Sequence, residues 1–242
     1  MAYVSEIKYI KPREESIYPY NLNILRNLDC LKLDDKVTFI VGENGSGKST
    51  LVEAIAIKYG FNPEGGSVNF NFETMNSSSS LWENIKIIKT TKRARDGYFL
   101  RAESFYNVAT NIDEMDSIPA FSPLVKNSYG GVSLHEQSHG ESFISLINNR
   151  FMGKGFYVLD EPEAALSQER QLALLKRIDE LTKQNSQFVI ATHSPILLSY
   201  PDATIYHIGE HGIEKRQYED TEQYKFMKLF IENYKSILHK LI

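Results

Sequence analysis

Nine residues, Gly42 to Thr50, read GENGSGKST. Two glycines frame four residues, and a lysine and two hydroxyls follow, which fits the template G-x-x-x-x-G-K-[ST]. Residues in that order can wrap a triphosphate. Gly42, Gly45 and Gly47 remove side chains where backbone N–H groups must approach phosphate oxygens. Glu43, Asn44 and Ser46 complete the loop between them. Lys48 is placed to reach the β- and γ-phosphates, Ser49 to offer its hydroxyl to Mg²⁺, and Thr50 closes the motif. The competing explanation is a chance glycine-rich turn, which the flanking elements count against.

A second cluster, FYVLDEP, spans Phe156 to Pro162. Four apolar residues end in Asp160, so its carboxylate emerges at a strand's C-terminal edge, where ligands of parallel sheets sit. Asp160 can hold the Mg²⁺ shell, and Glu161 can polarise an attacking water. Alone, the pair reads equally well as a cap before a turn; the upstream glycine loop favours the chemical reading. A third piece, VIATHSP, brings His193 to the same edge after a strand–helix–strand unit that begins at Asp160. That placement favours contact with a γ-phosphate over a structural histidine.

The elements around these residues suit the task. KVTFIV, just before the glycine loop, is a short β-branched run of the kind that forms a buried central strand. STLVEAIAIKYG, just after it, has Leu51, Ile55 and Tyr59 at helical spacing and stops at Gly60. YVSEIKYI reads as an N-terminal strand, and a second strand candidate follows before Lys36. GGSVNFNFETMNSSSS reads as a strand and loop, and ENIKIIKTTKRARDGYFLRA as a hairpin turned at RDG. ESFYNVATNIDEM reads as a helix, Ser117 to Gly140 as mostly loop, and a further helix is expected from Glu141. In SQERQLALLKRIDELTKQ, Leu172, Leu175, Ile178 and Leu181 are expected on one buried face, with Ser167 as N-cap. A hairpin around GEHG and an amphipathic helix over 221–242 complete the chain.

Composition narrows the class. With 242 residues, 42% hydrophobic and 24% charged, the chain has the make-up of an ordinary globular protein, and one domain over 1–242 is the simpler expectation. A net charge of −4 gives no global sign of a polyanion binder. The single cysteine, Cys30, cannot form an internal disulfide. No apolar run approaches a membrane span and no signal core opens the chain, so it is expected to be cytoplasmic, complete and without direct membrane insertion.

The order GENGSGKST, SHGES, FYVLDEPEAALS, ATHSP resembles the ATPase domains of the ABC superfamily, especially small free-standing ATPases often labelled AAA family and the heads of recombination-repair and chromosome-maintenance ATPases. The resemblance covers nearly the whole chain. It implies a P-loop NTPase of α/β class: a central mainly parallel sheet with flanking helices, an antiparallel β region at the N-terminal side, and a small helical signature region at about 103–152. It places Lys48 and Ser49 in Walker A, Asp160 and Glu161 in Walker B, and His193 in the switch loop. QSHGE, residues 137–141, occupies the place of the signature LSGGQ, so Ser138 and Gly140 would contact nucleotide held by a second copy. ATP with Mg²⁺, hydrolysis and an ATP-dependent homodimer are implied. The sandwich would regulate a partner protein or a nucleic-acid transaction; the alternative is the nucleotide-binding subunit of a transporter.

The chain departs from the family pattern in several places. His139 stands where the signature has glycine and Glu141 where it has glutamine. Ser167 stands where transporters commonly have aspartate. No Q-loop glutamine is evident; Glu103, in FLRAES, is the candidate for the metal and water contact, with helix capping as its alternative. Tyr18 and Tyr20 are candidates to stack on adenine but are expected to be core or edge aromatics. Lys86, Lys89, Lys92, Arg93 and Arg95 put five basic residues within ten. A solvated face is expected, and a phosphate-binding stripe is the alternative. Phe226, Phe230, Tyr234, Ile237 and Leu241 form a stripe on the last helix. Packing on its own domain is expected there, and docking of a partner is the alternative. His207 and His211 are separated by Gly209, so no transition metal is assigned.

Overall fold

A computed structural model describes residues 2–68, 78–118, 124–136 and 138–242, apart from the side chain of His139. The strand-and-loop reading of 65–80, the loop between 117 and 140, and Gln137 fall partly or wholly outside the described residues. The elements run β1 (Val4–Tyr9), β2 (Cys30–Lys32), β3 (Val37–Gly42), α1 (Lys48–Tyr59), β4 (Ile85–Lys89), β5 (Asp96–Arg101), α2 (Phe105–Ser117), α3 (His139–Arg150), β6 (Gly155–Asp160), α4 (Gln168–Lys183), β7 (Gln187–Ala191), α5 (Pro195–Leu198), β8 (Thr204–Gly209), β9 (Gly212–Arg216) and α6 (Glu222–Leu241). Short 3-10 turns join several of them.

Among the described residues the strands form two sheets. The larger has the order β5-β6-β7-β3-β8-β9, parallel throughout except for the β8–β9 hairpin; the smaller, β2-β1-β4, is antiparallel. Strands β3, β6 and β7 are buried along their whole length, as expected when both faces are covered. Alternation sorts their side chains between two cores. Phe39, Tyr98, Leu159, Phe188 and Ile190 face α2, α3 and α4. Ile40, Phe99, Val158, Val189 and Ala191 face α1 and the small sheet. Gln187 ties the sheets together: its Oε1 accepts from Tyr3 N and Val4 N, and its Nε2 donates to Val4 O and Asp34 O.

Four expectations change. The segment around RDG is not a hairpin: β4 pairs with β1 in one sheet and β5 with β6 in the other. Both segments form strands as expected, but a strand's own sequence carries no information about its partner. On α4 the buried positions are Gln171, Leu174, Ile178, Leu181 and Thr182, while Leu172 is exposed. Ile178 and Leu181 are on the buried face as expected, together with Gln171, whose side chain bonds Ser194 and Leu166. Helix α3 begins at His139, two residues early, because Ser138 N donates to Glu141 Oε2 and closes the first turn. Helix α6 forms from its Thr221 cap, but none of its side chains is buried, and beyond its first turn it lacks the expected packing on its own domain. The five basic residues around β4 are all exposed.

Candidate functional site

The glycine loop leaves the C-terminal end of β3 and enters α1. Gly47, the helix cap, has φ +102°, and Gly45 has φ +77°, both in the left-handed region that a β-carbon disfavours. Gly42 is needed for space: a Cβ there would lie 2.9 Å from Ile208 O and from Ser46 Oγ. Lys48 is buried, and its Nζ donates to Gly42 O at 3.2 Å and Glu43 O at 3.0 Å. Burial lowers its pKa, against the nearby charges of Glu161, Asp160 and Glu163. Ser46 Oγ is buried with no hydrogen-bond partner among the described residues. An unpaired hydroxyl and free amides at a helix N-terminus fit an anionic phosphate.

Strand pairing brings the remaining groups to the same edge. Asp160 ends β6, and its Oδ1 accepts from Ser49 Oγ at 3.0 Å. A hydroxyl and a carboxylate are the oxygen donors Mg²⁺ prefers, so these residues fit that ion. Burial raises the Asp160 pKa to about 6; Arg101 and Ser49 hold it down, while Glu161 and Glu103 push it up. Glu161 follows with φ +49° and ψ +52°. A left-handed glutamate costs about 1–2 kcal/mol and is held by the bond from its N–H to Ala191 O. Its Oε1 lies 3.5 Å from His193 Nε2. His193 N donates to Glu163 Oε1 at 2.5 Å, joining the segment after β7 to the turn after Asp160.

Two positioning residues escaped sequence reasoning. Arg101 ends β5 directly beside Asp160 in register. Its Nη1 meets Glu53 Oε2 at 2.5 Å, its Nε lies 3.5 Å from Asp160 Oδ2, and its Nη2 lies 3.6 Å from Glu103 Oε2. The two residues before Glu103 in FLRAES were the available signal. Gln171 spans two loops, its Oε1 accepting from Ser194 Oγ and its Nε2 donating to Leu166 O. A glutamine in the first turn of a leucine-rich helix was the available sign of it.

The two clefts share the site between them. One, of about 530 Å³, is lined by Gly42, Glu43, Asn44, Ser46 and His193, with Glu222 and Gln223 of α6 at its rim. The other, about 170 Å³, is lined by Ser49, Arg101, Glu103, Asp160 and Glu161. Glu103 thus reaches the cleft, though its side chain is 84% exposed. Ser138 and Gly140 line neither cleft. Ser138 Oγ donates to Glu141 at 2.6 Å, and a Cβ on Gly140 would lie 2.9 Å from Ala165 O. Of the two tyrosines, Tyr20 hydrogen-bonds Asn84, as an edge residue does, while Tyr18 is 62% exposed with its hydroxyl 3.4 Å from Thr50 Oγ1.

A family described as an AAA domain matches residues 17–225. The chain is 24% identical over 221 residues to the chloroplastic ABC transporter I family member 6 of Arabidopsis thaliana, covering 78% of this chain and 61% of that protein, so it spans about three fifths of that relative. It is 23% identical over 223 residues to the probable ATP-dependent transporter ycf16 of Antithamnion sp., covering 78% and 82%. Among solved structures, cbiO1 of Clostridium perfringens, part of the ABC transporter complex cbiONQ, superposes with a TM-score of 0.54 at 17% identity over 99% of both chains. An ATP-binding cassette of an ABC transporter in its ADP conformation gives 0.50 at 18% identity, over 100% of this chain and 99% of the other. These two likenesses establish a shared fold.

Proposed function

The chain belongs to this AAA-domain family and is an ABC-type ATPase, and from that premise we propose that it hydrolyses ATP in a site completed by a second copy. The observation that carries the reading is the Ser49–Asp160 contact beside Glu161 and His193, at the mouth of the glycine loop. Backbone amides of Gly45 to Ser49 and the Lys48 ammonium bind the triphosphate. Ser49 and Asp160 would hold Mg²⁺, with Glu103 at the outer side of the cleft, and the ion would supply charge neutralisation to the triphosphate. Glu161 accepts the proton of the attacking water, and His193 hydrogen-bonds the γ-phosphate end. Tyr18 lies over the start of α1, where an adenine ring would stack. The signature residues Ser138 and Gly140 stand clear of their own clefts and act on the partner's nucleotide. Residues 1–242 form one ATPase domain in this reading, with 103–152 as its signature-bearing part.

For the process driven, the relatives' names favour the nucleotide-binding subunit of a transporter. No helix among the described residues is long and apolar enough to cross a membrane, so under this reading the spanning part lies outside them. Control of a separate effector is the second reading. It is supported by His139 and Glu141 in the signature and by Arg101 and Glu103 where a Q-loop glutamine is expected. Contact with nucleic acid through Lys86, Lys89, Lys92, Arg93 and Arg95 predicts turnover that rises with added DNA or RNA and fades with salt. Turnover unchanged by DNA or RNA at low salt removes that branch.

Complementation tests the composite site. Lys48→Ala and Ser138→Arg proteins are each expected to be inactive, and an equimolar mixture to recover up to about a quarter of wild-type turnover, since half the dimers carry one intact site of two. A mixture that stays inactive while both proteins remain folded rules out the site in trans.

A further inference from the structure

Helix α6 leaves the rim of the larger cleft and meets the body only near its start. Tyr224 packs edge-on against Tyr218 at 4.9 Å, Glu222 pairs with Arg216 at 3.3 Å, and Lys225 lies 3.8 Å from Asp220. Beyond that turn three large aromatic rings and a run of aliphatic side chains face solvent: Phe226 is 68% exposed, Ile231 65% and Leu241 73%. Nothing in the local sequence forces a helix into that exposure, and an apolar surface of this extent on a folded protein marks an interaction site.

The pattern along the helix indicates what covers it. The apolar residues Phe226, Met227, Phe230, Ile231, Tyr234, Ile237, Leu238, Leu241 and Ile242 are mirror-symmetric about Tyr234. Phe226 mirrors Ile242, Met227 mirrors Leu241, Phe230 mirrors Leu238, and Ile231 mirrors Ile237. The polar positions follow the same mirror, with Lys228 opposite Lys240, Glu232 opposite Ser236, and Asn233 opposite Lys235. At 3.6 residues per turn the apolar set shares a band about 160° wide, and Leu229 alone falls outside it. The helix bends at Asn233, whose φ of −129° departs from helical values, right beside the mirror point. The bend divides the band into two similar lobes. A surface that meets its own image must be self-complementary under a two-fold axis, and an antiparallel pair of such helices matches apolar to apolar along its whole length. Covering the band would bury roughly 800 Å² per copy, the size of a standard stable interface.

We infer that α6 pairs antiparallel with α6 of a second copy, crossing near Tyr234, and that this pair holds two chains together without nucleotide. The pairing is distinct from the composite ATP site of the proposed function and goes beyond it. It makes closure of the two sites an intramolecular event within a standing dimer.

Light scattering of the full chain without nucleotide is expected to give twice the chain mass. The Phe230→Glu, Ile231→Glu double variant is expected to give the chain mass while still binding ATP, because neither residue lines a cleft. A second measurement reads geometry directly. In a Cys30→Ser background, Tyr234→Cys is expected to form a disulfide-linked dimer on treatment with diamide, and Leu229→Cys, outside the band, to form at least tenfold less. A monomeric wild type, a dimer that survives the double variant, or equal cross-linking at 229 and 234 overturns the pairing. So does a monomer that sediments with vesicles of phosphatidylglycerol, which would assign the basic-flanked band to an anionic lipid surface. Each of these results is independent of whether Lys48 and Ser138 complement in trans.

Discussion

Strands β5 and β6 run side by side, and each end of the pair carries a shielded aspartate. At the N-terminal end, Asp96 takes hydrogen bonds from Tyr157 Oη at 2.6 Å, Arg150 Nη1 at 2.7 Å and Met152 N at 3.0 Å. Burial alone would raise its pKa, but Tyr157, Arg150 and Met152 together bring it below the usual value. At the C-terminal end, Asp160 has one hydrogen bond, from Ser49, and an arginine at 3.5 Å that it shares with Glu53. There burial prevails and the pKa rises to about 6. The same side chain on the same ladder is held charged at one end and kept short of partners at the other. The saturated end maintains the fold; the unsaturated end leaves carboxylate oxygen unbonded, as the proposed Mg²⁺ role of Asp160 requires.

The strongest way to break this contrast is to neutralise each aspartate in turn. Asp160→Asn is expected to cut Mg-ATP turnover at least about 100-fold while raising the melting temperature of the nucleotide-free protein at pH 7.5. Equal loss of stability and activity would contradict it. Asp96→Asn is expected to do the reverse, costing about 3 kcal/mol in urea unfolding, because Arg150 loses its buried partner, with turnover per folded molecule unchanged. Arg101→Met has a smaller expected effect, about tenfold in the Mg²⁺ concentration needed for half-maximal turnover, with ATP binding in EDTA preserved. Unchanged Mg²⁺ dependence would reduce Arg101 to a structural ion pair.

The finest test is pH. A carboxyl whose folded pKa lies above its unfolded value costs stability as pH rises through that interval. The advantage of Asp160→Asn over wild type is therefore expected to be small at pH 4, to grow between about 4 and 6, and to level off at no more than about 3 kcal/mol. Asp96 has the opposite sign: its contribution is present at neutral pH and lost only as pH falls below the ordinary carboxylate value. A flat difference between pH 4 and 7 in thermal unfolding would show that Asp160 ionises normally.

What could be read from the sequence follows the same division. Contiguous placement was legible: GENGSGKST joins β3 to α1 and FYVLDEP ends β6, as expected, because both arrangements are local. Strands β3, β6 and β7 announced themselves as unbroken apolar runs, and their burial on both faces is the reason. Partnerships between distant segments were not legible. Strands β4 and β5 looked like a hairpin because two strand-forming runs flank the turn residues RDG, whichever strand lies alongside each. Arg101 and Gln171 act across strands or loops, so their neighbours in sequence say little about them. The exposure of α6 could not be read from its periodicity, since an apolar stripe looks the same whether its cover comes from within the chain or from outside.

The lysine of the glycine loop has a consequence for how quickly ATP is captured. The Lys48 ammonium holds Gly42 O and Glu43 O, so the loop keeps its curve by means of a cation of its own. Arrival of a triphosphate is then an exchange of acceptors at one ammonium, and no chain segment has to be ordered first. A mould that is set before it is filled predicts association rates limited by encounter, with selectivity among nucleotides expressed in how slowly the right one leaves.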